Sequence, residues 1–217
     1  VKKHLIILSI LWGFLQVNAQ TDSVKISSSS TTDSLVVITD SASSADDTPL
    51  LPDHYLFTQR LMWGEKGLMR NFNVFKLSPE SRDLEMEIRS KMVTIHQLTG
   101  YATLASMLAT GLVGWKLYDG NQGLKGTHEA LAATTNALYY TTAALAFFAP
   151  PPMRGDSKGI SGVKVHRVLS IVHLSSMITT QVLSGMIERR PELKPYHRAA
   201  AITAFGSLLA ASIVVKF

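Results

Sequence analysis

Five of the chain's seven histidines stand inside, or at the mouth of, long apolar runs: His96, His128, His166, His173 and His197. An imidazole there is a coordinating side chain in a place where every polar group is costly. Taken singly, each is accounted for by a hydrogen bond to water or to a backbone carbonyl at a membrane interface. One near the start of each of four runs asks for a shared purpose. The chain has no cysteine, which excludes disulfides, Cys-ligated zinc, iron–sulfur centres and thiol catalysis, so a metal would be held by His, Met or carboxylate.

Four runs carry these residues. Run A is MVTIHQLTGYATLASMLATGLVGW and run B is THEALAATTNALYYTTAALAFFAP, ended by Pro150, Pro151 and Pro152. Run C is VHRVLSIVHLSSMITTQVLSGMI, and run D is the closing PYHRAAAITAFGSLLAASIVVKF. Each holds roughly 20 residues with few interior charges, the length a helix needs to cross the hydrocarbon core of a bilayer. A soluble bundle would show a charged outward face, which these runs lack. The expected fold is all-α: a four-helix up-and-down transmembrane bundle over 92–217, its small residues allowing close helix packing in lipid.

Antiparallel threading sorts the histidines. His96 and His166 or His173 fall in one leaflet, and His128 and His197 in the other. With A and C diagonal to each other, and B and D likewise, each leaflet has two imidazoles facing across the bundle. That is an axial set for the iron of a planar tetrapyrrole that shuttles electrons, with both coordination positions filled. A four-histidine zinc or copper site would need all ligands at one depth, which the threading denies. Small or weakly polar residues share the histidine faces and leave room for a macrocycle: Gly100, Thr103 and Gly111 in A, Ala132 and Thr135 in B, Ser170, Thr180 and Ser184 in C, and Ala200, Ala201 and Ala204 in D. Measured from the last charged residue, His173 has nearly the depth of His96. His173 is therefore the expected partner, with His166 near a haem propionate or electron donor, and the reverse assignment stays open.

The rest of the chain supports these runs. Lys2 and Lys3 before LIILSILWGFL, with Val17 and Ala19 at small-residue positions, make 1–19 a secretory signal pattern. Residues 20–50, with KISSSSTTDS and SASSADDTP, read as a disordered Ser/Thr-rich extracytoplasmic linker. Residues 51–91 read as an extracytoplasmic, interfacial segment with Trp63 and the Phe residues at headgroup level, leading into the first helix. Ser78-Pro79-Glu80 is the start signal of that helix. A cleaved signal puts the tail outside and the A–B and C–D loops in the cytoplasm, a multi-pass inner-membrane topology on which the basic-residue count is neutral. The formal charge of +5 is scattered between apolar runs, as suits loops at anionic lipid, and forms no stripe for nucleic acid. Met107, Met177 and Met186 read as lipid-facing or core filler, and Tyr139 and Tyr140 as packing residues, with lining an electron path as the alternative. RGDS at 154–157 is a polar turn.

On His96 in HQLTG, His128 in HEAL, His173 or His166 in HRVLSIVH and His197 in HRAAA, residues 92–217 resemble the core of the cytochrome b561 superfamily. The resemblance is one of histidine placement and covers a little over half the chain. It implies two b-type haems near opposite membrane surfaces, hence a haem-dependent transmembrane oxidoreductase that passes electrons from a donor on one side to an acceptor on the other. Quinol, an ascorbate-like reductant, a periplasmic redox protein or a ferric chelate fits the exchange. The chain departs from the superfamily in lacking two flanking helices and in its extra run-C histidine. The rival expectation is a haem-free four-helix membrane protein with a structural or partner-binding role, using 51–90 as its contact.

Overall fold

The computed structural model describes residues 49–153 and 161–215. The signal pattern, the linker as far as residue 48, and the RGDS turn lie outside the described residues. What is described is all-α. A short helix α1 (Phe57–Trp63) and two 3-10 turns precede four long helices: α2 (Pro79–Tyr118), α3 (Lys125–Phe148), α4 (Gly162–Ser184) and α5 (Lys194–Val214). Runs A to D fall on these four.

Local chemistry sets the ends. Ser78 caps α2: its hydroxyl accepts from the Ser81 amide at 3.2 Å, and the Ser81 hydroxyl accepts in return from the Ser78 amide. Pro79 follows at the first helical position. The chain then reverses through Gly120, whose φ of 105° favours a residue without a Cβ. Ser161 caps α4 by accepting from the Lys164 amide.

Helices α2 and α3 form one antiparallel hairpin, and α4 and α5 a second. The distribution of side chains across these helices is inverted relative to a soluble bundle. Thr103 (1% exposed) and Thr135 (3%) face inward, whereas Leu98 (70%), Ile171 (65%) and Ile213 (68%) face outward. The apolar core is a narrow belt of Met107, Tyr139, Met177, Ala204 and Leu208, with Leu104, Leu174 and Phe205 packed against it. Met107 and Met177 are thus core filler rather than lipid-facing. Among the described residues, Pro191–Val214 is the one helical stretch long and apolar enough by itself to cross a membrane. The other three long helices carry inward Ser, Thr and His, which lower their mean hydropathy.

Residues 49–78 form a cap over the C-terminal end of α3. The last carbonyls of a helix have no partner within it, and here three in succession find side-chain donors. Phe147 O accepts from the Thr58 hydroxyl at 2.7 Å, Phe148 O from the Trp63 indole at 2.8 Å and Ala149 O from Gln59 at 3.1 Å. Beyond the helix, Pro150 O accepts from Arg89 and Pro151 O from Arg82. Two of these donors are cations, the sign favoured at a helix C-terminus. Glu85, fully buried, accepts from both Arg70 and Arg82. This corrects the expectation that Trp63 sits at headgroup level: it is buried, edge-on to Phe75 at 5.3 Å, because its indole N–H is needed on the α3 end. Phe57 and Phe72 do stay exposed.

Candidate functional site

Each of four histidines is oriented by a backbone carbonyl on the other helix of its hairpin. His96 Nδ1 meets Thr142 O at 2.9 Å, and His128 Nδ1 meets Thr110 O at 3.2 Å. In the second hairpin His166 Nδ1 meets Ala211 O at 2.9 Å, and His197 Nδ1 meets Thr180 O at 2.9 Å. A carbonyl only accepts, so Nδ1 must carry the proton in all four rings. Nε2 is then the nitrogen left with a lone pair. Fixing the tautomer through the far nitrogen is how proteins prepare an imidazole to bind a metal.

The spacing behind this arrangement is regular. Each accepting carbonyl stands 14 residues after a histidine of its own helix: Thr110 after His96, Thr142 after His128, Thr180 after His166 and Ala211 after His197. Fourteen residues span about 21 Å of helix and return to nearly the same face. Every helix therefore presents a histidine at one end and an acceptor at the other, and two antiparallel copies satisfy each other. Seven residues after each histidine, midway between the two levels, stand Thr103, Thr135, His173 and Ala204. Eleven after each stand Met107, Tyr139, Met177 and Leu208, four of the five residues of the core belt. This repeat was legible in the sequence; the signal was the internal period of the histidines, not their depth.

His96 and His166 face each other with ring centroids 6.3 Å apart and planes at 80°. The centroid separation can be compared with that of two rings sharing a metal. With metal–nitrogen bonds of about 2 Å, and a nitrogen about 1.1 Å from the centre of its ring, two imidazoles on opposite sides of one ion have centroids about 6.3 Å apart. The observed centroid distance matches that figure. By the same register His128 and His197 stand at the other level. Among the described residues no three His, Asp or Glu side chains converge as a metal-ligating group.

The structure corrects the depth argument that set His173 opposite His96. Depth from the nearest charge misleads because α2 continues as helix well before run A, so Lys91 does not mark where the bundle begins. The histidine opposite His96 is His166, and His173 lies one layer deeper, its Nδ1 2.6 Å from the Tyr139 hydroxyl. Gly100 is four residues from His96, and a Cβ there would meet only the Thr142 methyl at 3.7 Å, an ordinary contact. A Cβ at Gly111 would meet nothing within 4 Å. The glycine that lies against a site histidine is Gly114: a Cβ there would come within 2.8 Å of His128 Cε1 and 3.1 Å of its Nδ1. At that level Arg198, next to His197, lies over the rings of Trp115 (4.4 Å) and Tyr118 (4.8 Å). Comparison with protein-family models, with curated proteins and with solved structures finds no match for this chain.

Proposed function

We propose that this chain is a membrane-embedded electron carrier holding two b-type haems, one between His96 and His166 and one between His128 and His197. The observation that carries the reading is the 6.3 Å separation of two opposed imidazoles whose tautomers are locked by carbonyls. Bound there, the haems would supply reversible one-electron chemistry. The protein's part is to hold four imidazoles with Nε2 bare, to keep small side chains along their faces, and to separate the two levels by a belt of Met, Leu and Tyr.

A membrane location is supported by the inverted side-chain distribution. Outward Leu, Ile and Val with inward Thr and His would be costly in water and are natural where lipid is the solvent. In that setting the four long helices form a transmembrane bundle in the inner membrane, and the cap of 49–78 lies on the extracytoplasmic side. The donor belongs to the class of quinols, ascorbate-like reductants or periplasmic redox proteins.

The test is optical. A reduced-minus-oxidised spectrum of the purified chain is expected to show b-type bands, and His128→Ala or His197→Ala to remove about half of their amplitude. A colourless protein that is otherwise folded would support the haem-free structural reading instead.

A further inference from the structure

His173 is the one bundle histidine whose Nδ1 faces a hydroxyl instead of a carbonyl. That difference in partner is a difference in chemistry. A carbonyl accepts only, so it locks a ring into one neutral tautomer. A tyrosine hydroxyl both donates and accepts, so it serves a neutral imidazole by donating to Nδ1 and an imidazolium by accepting from it. The switch needs only rotation about the C–O bond of Tyr139.

The placement is equally specific. His173 and Tyr139 are exceptions at their positions in the repeat: seven residues after the other histidines stand Thr103, Thr135 and Ala204, and eleven after stand Met107, Met177 and Leu208. Two independent departures from the repeat thus meet each other, across α3 and α4, with ring centroids 5.7 Å apart. By helical rise His173 lies about 10 Å from either histidine level, and Tyr139, three residues before Thr142, reaches it from the His96 side. An ionisable side chain at such a depth, with a named partner, is expected to serve a proton or a charge.

We propose that His173, supported by Tyr139, is a proton-accepting site at the centre of the bundle that takes up a proton when an electron arrives at the His96–His166 level. The inference rests on the two-haem reading above. One electron comes from the donor, a quinol or another one-electron reductant, and one proton from water or from the quinol itself. The proton forms the second N–H of the His173 ring, and the added negative charge at the neighbouring level is balanced. Among the described residues, other titratable groups facing this ring are few. They are Tyr139 and, beside it, Tyr140 on α3, His96 on α2 and His166 on α4 itself. From α5 the layer presents Ala204 and Leu208. Tyr140 is already engaged, its hydroxyl accepting from Gln181 at 2.7 Å. In the two-haem reading Nε2 of each of the other four bundle rings is given to iron, which leaves His173 as the ring free to change its proton count.

The experiment is a redox titration of the purified haem-loaded chain at a series of pH values. The midpoint potential of one of the two haems is expected to fall as pH rises, approaching about 59 mV per unit, the value for one proton per electron. His173→Asn, which can still accept from Tyr139, is expected to flatten that slope while both haem spectra persist. Tyr139→Phe is expected to keep the slope and move its pH window. A slope unchanged in both His173→Asn and His173→Gln overturns the inference and leaves the two-haem reading standing. Loss of one haem spectrum in His173→Asn overturns it too, by making His173 a ligand. A colourless parent chain overturns both.

Discussion

The two ends of the bundle use the same histidine–carbonyl device in different surroundings. At the His96–His166 end the C-terminus of α3 is covered, five carbonyls are matched by side-chain donors, and Arg82 and Glu85 are fully buried. At the His128–His197 end the helices are joined by short exposed loops, Arg198 lies over Trp115 and Tyr118, and Lys125 pairs with Glu188 at 2.7 Å in the open. Orienting an imidazole therefore requires only the partner helix. The cap does a separate job: it satisfies the end of α3 and ties residues 49–78 to the bundle.

The contrast is broken most severely at Glu85. Glu85→Ala would leave Arg70 and Arg82 with no carboxylate in a buried site, a loss of about 3–5 kcal/mol. A large fall in the thermal unfolding midpoint is expected, with any b-type bands due to the His128–His197 level retained in the molecules still folded. An unchanged midpoint would mean that the cap adds nothing to the bundle. The next largest effect is at the other end. Gly114→Val places side-chain atoms where the His128 ring stands and is expected to cost about 1–3 kcal/mol. It is also expected to lower the b-type absorbance by about half, because the ring must leave the Thr110 carbonyl; full absorbance would show that Gly114 does not govern the site. The smallest effect is at Lys125. Its hydrogen bond and charge lower the Glu188 pKa, so the pair's contribution is present above the ordinary carboxylate range and is lost as pH falls through the Glu188 value. Both groups are exposed, and Lys125→Gln is expected to change thermal stability marginally at neutral pH and not at all at acid pH, as read by melting curves.

Much of the helical frame could be read directly. Ser78-Pro79-Glu80 marked the start of α2 because a hydroxyl cap and a proline first turn are local chemistry. The three prolines from Pro150 marked the end of α3 for the same reason. Other features depend on distance in space. Trp63 looked like an interfacial aromatic, since nothing in its neighbourhood announces a helix end 85 residues away that needs its N–H. Gly114 resembled any other small residue of run A until the His128 ring was found against it.

The sequence alone settled the inventory: which four helices form, that each carries a histidine, and that no thiol is available for ligation. Helical period and hydropathy are properties of a single segment, so a single segment displays them. Which histidine meets which was decided only in three dimensions. His166 and His173 share one face of α4, and what separates their roles is the group opposite each Nδ1: the Ala211 carbonyl for one and the Tyr139 hydroxyl for the other. A proton's position on an imidazole is set by its hydrogen-bond partner, and that partner is on another helix.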